Sequence, residues 1–190
     1  YIKMALKEEN APYDLVDDIL IPAINKVGEL YDKKEYFLPQ LILSAETMKK
    51  AFDYLEPLLL KENTGQKKTK IILATVKGDI HDIGKNIVGL MLKNYGFDVI
   101  DLGKDVPKER IIEEIKKTGA PMVGLSALMT TTMGEMKHVI DAVKEEGLET
   151  KFIVGGAVVT REYAKEIGAD GYAPDAMEAV KVSQLLEKDL

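Results

Sequence analysis

The sequence predicts an α/β protein in which an N-terminal bundle of helices precedes a five-stranded parallel sheet flanked by helices. In the first third of the chain, apolar residues recur every three or four positions, as in amphipathic helices. In the remainder, short β-branched runs alternate with helical stretches. Because a polar, glycine-containing stretch at 61–69 separates the two parts, we predict a helical domain over 1–62, a linker over 63–69 and an α/β domain over 70–190.

The helical domain contains two apolar stripes. One stripe consists of Leu15, Ile19, Ile24 and Val27, and the second runs over 41–55. Helices of this length cannot bury such stripes alone, so we expect them to pack on one another and on the second part of the chain.

The α/β domain alternates five strands with five helices. The predicted strands are Lys70–Val76, Asp98–Leu102, Met122–Ser126, Lys151–Gly155 and Gly171–Ala173. The predicted helices lie near Gly84–Asn94, Lys108–Lys117, Met133–Glu146, Arg161–Ile167 and Asp175–Leu186. This alternation is typical of a doubly wound, flavodoxin-like (Rossmann-type) sheet, in which ligands bind outside the carboxyl ends of the strands. The loops that follow the strands are therefore the candidate functional segments.

Composition excludes several classes of function. The formal net charge of −6 over 190 residues argues against a nucleic-acid partner and against an anionic membrane surface. No apolar run approaches the roughly 20 residues that span a bilayer, and we find no signal-peptide pattern, so we expect a cytoplasmic protein. The absence of cysteine excludes thiolate-bound zinc, iron–sulfur clusters and cysteine nucleophiles. A bound metal would need histidine, carboxylate or a prosthetic group.

The loop after the first strand is the strongest candidate site, and it consists of Gly78, Asp79, Ile80, His81, Asp82, Ile83 and Gly84. His81 can offer one ring nitrogen to a metal, while Asp79 accepts a hydrogen bond from the other nitrogen and fixes the orientation and basicity of the ring. Two carboxylates at this place would repel a phosphate, which disfavours a flavin mononucleotide site. An Asp-x-His pair alone is equally typical of a solvated loop or a helix cap.

Hydroxyl groups dominate the loop after the third strand, which runs from Ser126 to Thr132. A phosphoacceptor receiver domain is disfavoured, because its acceptor aspartate would end this strand where Ser126 stands. Thr131 or Thr132 could simply cap the following helix.

The loops after the fourth and fifth strands are rich in small residues. Gly155, Gly156 and Ala157 would allow the close approach of something large and flat, although paired glycines are also common in plain turns. The turn at 172–175 could end in an N-cap at Asp175.

Taken together, these loops resemble the cobalamin-binding domain of methyl-transferring corrinoid proteins and of cobalamin-dependent methionine synthase. The resemblance lies in the order Gly-Asp-x-His-Asp-x-Gly, Ser-x-Leu and Gly-Gly at the ends of the first, third and fourth strands. The segments 27–31, 37–40 and 44–50 resemble the helical cap of that family. The resemblance covers nearly the whole chain and implies cobalamin or a related corrinoid as cofactor, with cobalt as its metal and methylcobalamin as its methylated form.

The same resemblance implies roles for individual residues. His81 would be the lower axial ligand of cobalt, in place of the corrinoid's own nucleotide base, which would run into a cleft of the sheet. Asp79 would hold His81, and the hydroxyl of Thr132 would complete a proton relay. In the cap, Tyr31 and Leu38 would cover the upper, methyl-bearing face, although both could equally be ordinary helical core.

The corrinoid contacts implied by the resemblance lie in the four loops. They are Gly78, Asp79, Ile80, His81, Asp82, Ile83, Gly84, Ser126, Leu128, Met129, Thr130, Gly155, Gly156, Ala157, Tyr172, Ala173 and Ala176. The other histidine, His138, is expected to face solvent.

The implied function is methyl carriage on cobalt between a methyl-donor and a methyl-acceptor methyltransferase, with a reductive activation protein as a further partner. Nothing in the chain resembles a domain that activates a methyl donor, so whether the chain is itself an enzyme stays open. The segment 168–176 is similar to small stand-alone corrinoid proteins, which serve methanol, methylamine or methoxy-aromatic donors. Three alternatives remain: a fragment of methionine synthase, a light sensor that binds adenosylcobalamin, and an isomerase subunit.

Overall fold

The computed structural model of the chain describes residues 1–8, 11–59 and 69–190. The chain forms two compact units, Tyr1–Thr64 and Gly65–Leu190. All of the predicted linker except Thr69 lies outside the described residues, so the domain boundaries stay a prediction. Within the described ranges, no helix is both long and apolar enough to cross a membrane.

Helices are the only regular secondary structure in the described part of the first unit. Its helices are α1 (Ile2–Lys7), α2 (Pro12–Asp14), α3 (Ile21–Asp32) and α4 (Leu38–Leu59), and a π-helical segment, Leu15–Leu20, joins α2 to α3. Leu15, Val16 and Leu55 form a small buried core. Ile19, predicted to lie on the same stripe as Leu15, is exposed instead, because the wider π-helical turn changes the spacing at which side chains share a face.

The second unit is the predicted doubly wound fold. Its elements are β1 (Lys70–Thr75), α5 (Ile83–Asn94), β2 (Asp98–Asp101), α6 (Lys108–Thr118), β3 (Met122–Ser126), α7 (Thr130–Glu145), β4 (Lys151–Gly155), α8 (Arg161–Glu166), β5 (Gly171–Ala173) and α9 (Ala176–Glu187). All strand pairs are parallel, in the order β2-β1-β3-β4-β5. The connections reverse direction between β1 and β3, which is where this fold places its ligands.

Both faces of the sheet are covered. Alternate residues of the central strands, such as Ile72, Val123 and Phe152, belong to one large buried cluster with residues of α6 and α7. The intervening residues face the opposite side, where α5 and α9 pack together. A Cβ atom at Gly89 of α5 would lie 3.2 Å from a Leu73 methyl group, so the glycine lets α5 approach β1 closely.

Two strand ends differ from the predictions. β1 ends at Thr75 rather than Val76, and β2 ends at Asp101 rather than Leu102. Beyond these points β1 pairs with the β2–α6 connection, through a bridge between Val76 and Val106.

The start of α7 is a larger correction. The helix begins at Thr130 rather than Met133, and its N-cap, Met129, makes no side-chain capping bond. Thr131 and Thr132 are therefore not caps, because they lie within the first turn. The other predicted helix ends differ from the structure by at most one residue. The predicted cap at Asp175 is confirmed, since its carboxylate accepts a hydrogen bond from the Glu178 N–H at 2.8 Å.

Candidate cofactor-binding site

Asp79 is the centre of the candidate site. It lies between β1 and α5 and is fully buried. One carboxylate oxygen accepts hydrogen bonds from the backbone N–H and the ring Nδ1 of His81, at 3.0 and 2.8 Å. The other accepts from Leu128 N (2.7 Å), Met129 N (3.3 Å) and the hydroxyl of Thr132 (2.8 Å). Asp79 thus ties the loop after β1 to the loop after β3.

These contacts determine the charge state of Asp79. Burial raises the pKa of its carboxyl, but the hydrogen bonds from His81 N–H, Leu128 N–H, Thr132 and the His81 ring outweigh burial and lower the pKa from 3.8 to about 2. The group is therefore ionised at neutral pH and can only accept hydrogen bonds.

The ionised carboxylate fixes the tautomer of His81. Its Nδ1 must carry the proton that is donated to Asp79, so Nε2 of the neutral imidazole keeps its lone pair. The side chain is 44% exposed, so this nitrogen is available to a ligand. Within the described ranges, no three histidine or carboxylate side chains lie together as a metal site. A metal at His81 would have to bring most of its own ligands.

Apolar side chains accompany the histidine. Ile80 is 61% exposed and Leu128 is 41% exposed, although both are large hydrophobic residues. They belong to the two loops that Asp79 joins. Exposed apolar residues beside an accessible imidazole are suited to a large ligand with an apolar face.

Small and hydroxylic residues form a row across the carboxyl end of the sheet. Thr75, Ser126, Gly155 and Ala173 are register partners on β1, β3, β4 and β5. Thr75 is fully buried, and its hydroxyl has no hydrogen-bond partner among the described residues. A buried hydroxyl without a hydrogen-bond partner lowers the stability of the fold. The row is therefore suited to a narrow polar group that would hydrogen-bond to the Thr75 hydroxyl.

The paired glycines after β4 have a reason within the chain itself. A Cβ atom at Gly155 would lie 2.5 Å from the carbonyl oxygen of Ala173, and one at Gly156 would lie 2.0 Å from that of Ala127. Gly156 also has φ +125°, which favours glycine. Close approach of neighbouring backbone segments accounts for both glycines, and their contact with a ligand stays a prediction.

The remaining predicted loop residues lie at the same edge of the sheet, in differing environments. Gly78, Gly84, Thr130 and Ala157 are exposed, Asp82, Ile83, Met129 and Tyr172 are half-buried, and Ala173 and Ala176 are buried. The guanidinium group of Arg161 lies 5.5 Å from the centre of the Tyr172 ring.

Two predicted residues belong to the first unit. Tyr31 is exposed on α3, whereas the side chain of Leu38 lies outside the described part of the structure. Their contacts with a cofactor stay predictions. His138 is exposed and pairs with Glu135 at 3.2 Å, so the expectation that it faces solvent is confirmed.

Sequence reasoning missed the loop after β2. The carboxylate of Asp105 accepts a hydrogen bond from Gly78 N–H at 2.7 Å, and Asp101 pairs with the buried amine of Lys85 at 2.5 Å. The signal was available, since Asp101 ends a parallel strand and Asp105 follows it at the ligand-binding edge of the sheet.

Comparison with known proteins places the chain in a family. Residues 69–181 match the model of a B12 binding domain, and residues 1–56 match a second model of that description. The chain is 42% identical to dimethylamine corrinoid protein 1 of Methanosarcina acetivorans over 183 residues, which cover 95% of this chain and 86% of the relative.

Solved structures agree with this match. The monomethylamine corrinoid protein of Methanosarcina barkeri is 37% identical with a TM-score of 0.87, over 97% of this chain and 88% of that one. A chain of the methanol:cobalamin methyltransferase complex MtaBC of Methanosarcina barkeri is 34% identical with a TM-score of 0.63, over 95% of this chain and 69% of that one.

The chain belongs to the B12-binding domain family, and its cofactor is cobalamin or a related corrinoid. Within that family, the resemblance to corrinoid proteins of methyltransferase systems is confirmed.

The site fits such a cofactor. An accessible imidazole nitrogen and the exposed Ile80 and Leu128 are suited to a metal held in a flat ring, and the unpaired hydroxyl of Thr75 to a polar tail.

Proposed function

We propose that the chain carries a methyl group between a methyl-donor and a methyl-acceptor methyltransferase, with His81 as the lower axial ligand of the cofactor's cobalt. The observation that carries the proposal is the 2.8 Å hydrogen bond between Asp79 and His81 Nδ1, which leaves Nε2 free on an exposed ring. When bound, the corrinoid supplies a cobalt centre that accepts a methyl group and gives it up again.

Asp79, His81 and Thr132 form the working network. The ionised Asp79 holds the Nδ1 proton and makes His81 a stronger electron donor. Leu128 N–H and the Thr132 hydroxyl stabilise the negative charge. Because these hydrogen bonds hold the pKa of Asp79 at about 2, the carboxylate is ionised at neutral pH and remains the acceptor of the Nδ1 hydrogen bond.

The names of the relatives support the proposed partners. Their names include dimethylamine, monomethylamine and a methanol methyltransferase complex, so a methylamine methyltransferase is the first donor to test. A reductive activation protein is a further proposed partner. The match of residues 1–56 to a B12 binding domain model supports the proposal that Tyr31 and Leu38 cover the upper face of the cofactor.

Isotope labelling of histidine tests the axial ligand directly. The full chain is loaded with cobalamin, reduced to Co(II), and its electron paramagnetic resonance spectrum is recorded with 14N- and 15N-histidine. Ligation by a histidine gives a three-line nitrogen splitting that becomes two lines in the 15N protein. The chain has two histidines, so His138→Gln is the matched control and should keep this change, whereas His81→Ala should lose it. A splitting that ignores the label would contradict ligation by His81.

A second measurement separates methyl carriage from the alternatives. A light sensor or an isomerase subunit should retain adenosylcobalamin selectively over aquacobalamin. A methyl carrier, once its cofactor is reduced, should accept a labelled methyl group from methyl iodide and pass it to a methyltransferase with its acceptor. Selective retention of adenosylcobalamin without transfer would exclude carriage.

A further inference from the structure

We propose, building on the ligand role proposed for His81, that Asp105 is a positioning residue which fixes the loop carrying that histidine before the cofactor binds. Asp105 lies in the connection between β2 and α6 and belongs to none of the segments that the sequence singled out. It makes hydrogen bonds to the backbone of Gly78 and Asp79, just before His81 in the same loop.

The loop that carries His81, residues 76–82 between β1 and α5, is called the histidine loop here. Asp105 makes two hydrogen bonds with this loop. The Asp105 carboxylate accepts from Gly78 N–H at 2.7 Å, and Asp105 N–H donates to the carbonyl oxygen of Asp79 at 2.9 Å. The backbone of Asp79 is thus held by the loop after β2, while its carboxylate is held by the loop after β3. Because the same carboxylate orients the imidazole of His81, a shift at Asp105 is transmitted to the ring.

The backbone that carries Asp105 is itself fixed. Thr75 N–H donates to the carbonyl oxygen of Gly103, and Val106 N–H donates to that of Thr75, both at 3.0 Å. The β2–α6 connection therefore continues the parallel hydrogen bonding alongside β1 as far as the start of the histidine loop. Asp105 has φ +54°, a left-handed conformation that aspartate, asparagine and glycine adopt more readily than other residues.

The other end of the histidine loop is held by Asp101, the last residue of β2. Lys85, in the first turn of α5, is buried, and its amine lies 2.5 and 2.6 Å from the two carboxylate oxygens of Asp101. Asp101 and Asp105 thus fasten both ends of the segment 78–85, and His81 lies between the two attachments. Such double attachment presets the direction of a ligand side chain.

Three variants at position 105 separate the hydrogen bond from the backbone conformation. Asp105→Asn keeps a side-chain hydrogen-bond acceptor and a residue type that adopts positive φ. Asp105→Gly removes the acceptor but still adopts positive φ, and Asp105→Ala removes the acceptor and disfavours positive φ. Asp141→Asn is the matched control, since Asp141 is paired with Lys137 on the surface of α7.

Two readouts follow the proposal in the full chain. Without cofactor, amide exchange at Gly78 and His81 should be at least about 10-fold faster in Asp105→Gly, while Ile153 in β4 keeps its protection and reports an intact fold. With cobalamin, the affinity should fall by about 10-fold and the fraction with the histidine-derived splitting should decrease. Asp105→Ala should match or exceed these losses, and Asp105→Asn and Asp141→Asn should stay near wild type.

The outcomes distinguish this inference from the proposed function. Wild-type affinity, splitting and amide exchange in Asp105→Gly would overturn the positioning role and leave ligation by His81 intact. Equal loss in Asp105→Asn and Asp105→Gly would also overturn it, because the acceptor would then not matter. If the nitrogen splitting of the wild-type protein is the same with 14N- and 15N-histidine, ligation by His81 is refuted. The positioning role of Asp105 is then refuted as well, because it rests on that ligation.

Discussion

A single buried carboxylate decides what the histidine of this site can do. Asp79 is fully buried, and its carboxylate accepts five hydrogen bonds, from its own loop, from the loop after β3 and from the first turn of α7. Because all five partners are donors, the site stabilises the ionised form, and the ionised form in turn fixes the tautomer of His81. Hydrogen bonds made for stability and the chemistry of the ligand therefore depend on the same group.

The depressed pKa of Asp79 predicts a pH dependence of stability. Its folded pKa of about 2 lies below the unfolded value of 3.8, so its contribution is complete above pH 4 and is lost as the pH falls through 2. The shift corresponds to about 2 kcal/mol. Asp79→Asn should lower the free energy of unfolding by about this amount at pH 7 and flatten the dependence between pH 4 and pH 2, as measured by urea unfolding. An unchanged acid slope would contradict the assignment.

The residues of the site were predictable to different degrees. The contact between Asp79 and His81 lies within three residues, and the contact of Asp79 with the Thr132 hydroxyl followed from a family resemblance. Both contacts are present. Asp105 and Lys85 went unnoticed, because their partners are 27 and 16 residues away in the chain and only the strand order brings them together.

At the scale of elements, glycines allow the loops at the carboxyl edge to touch. Gly156→Ala should lower the free energy of unfolding by about 2–4 kcal/mol, because the new Cβ would collide with the Ala127 carbonyl oxygen and φ is +125°. Gly134→Ala is the matched control, since nothing lies within 4 Å of its Cβ position in α7. It should raise the stability by about 0.5–1 kcal/mol. Urea unfolding measures both variants. Equal changes in the free energy of unfolding for Gly156→Ala and Gly134→Ala would contradict this explanation.

The attachment of α5 to β2 should respond asymmetrically to mutation. The Lys85 side chain is 2% exposed and that of Asp101 is 39% exposed. Asp101→Ala leaves a buried amine without its carboxylate and should cost about 3–5 kcal/mol. Lys85→Met leaves a carboxylate that water can reach, so it should cost about 1 kcal/mol. Chemical denaturation of both variants at pH 7 measures the difference, and a larger loss in Lys85→Met would refute the explanation.

The predicted elements differ most from the structure where side chains have long-range partners. β3, β4 and β5 have the predicted bounds, because apolar runs between turn residues define them. The start of α7 was misplaced by three residues, since threonine favours caps over helix interiors. Thr132 lies in the first turn, where its hydroxyl reaches Asp79, a contact that no local pattern reveals.

At the scale of the whole molecule, the two units differ in how much core they contain. The described part of the first unit has Leu15, Val16 and Leu55 as its buried cluster, whereas the large cluster of the second unit covers one full face of the sheet. Alternation of strands and helices was enough to predict the doubly wound architecture. The location of the boundary within a polar stretch was predicted from composition alone, and it stays a prediction.

The second unit should fold without the first. Every member of its large hydrophobic cluster lies between residues 72 and 172, and the network of Asp79, His81 and Thr132 is complete within it. Residues 65–190 alone should therefore unfold cooperatively in urea and keep the amide protection of β1 and β3 seen in the full chain. Residues 1–64 alone should be only marginally stable, because so small a core rarely stabilises a chain of that length. Loss of cooperative unfolding in 65–190 would show that the helical unit is needed to complete its core.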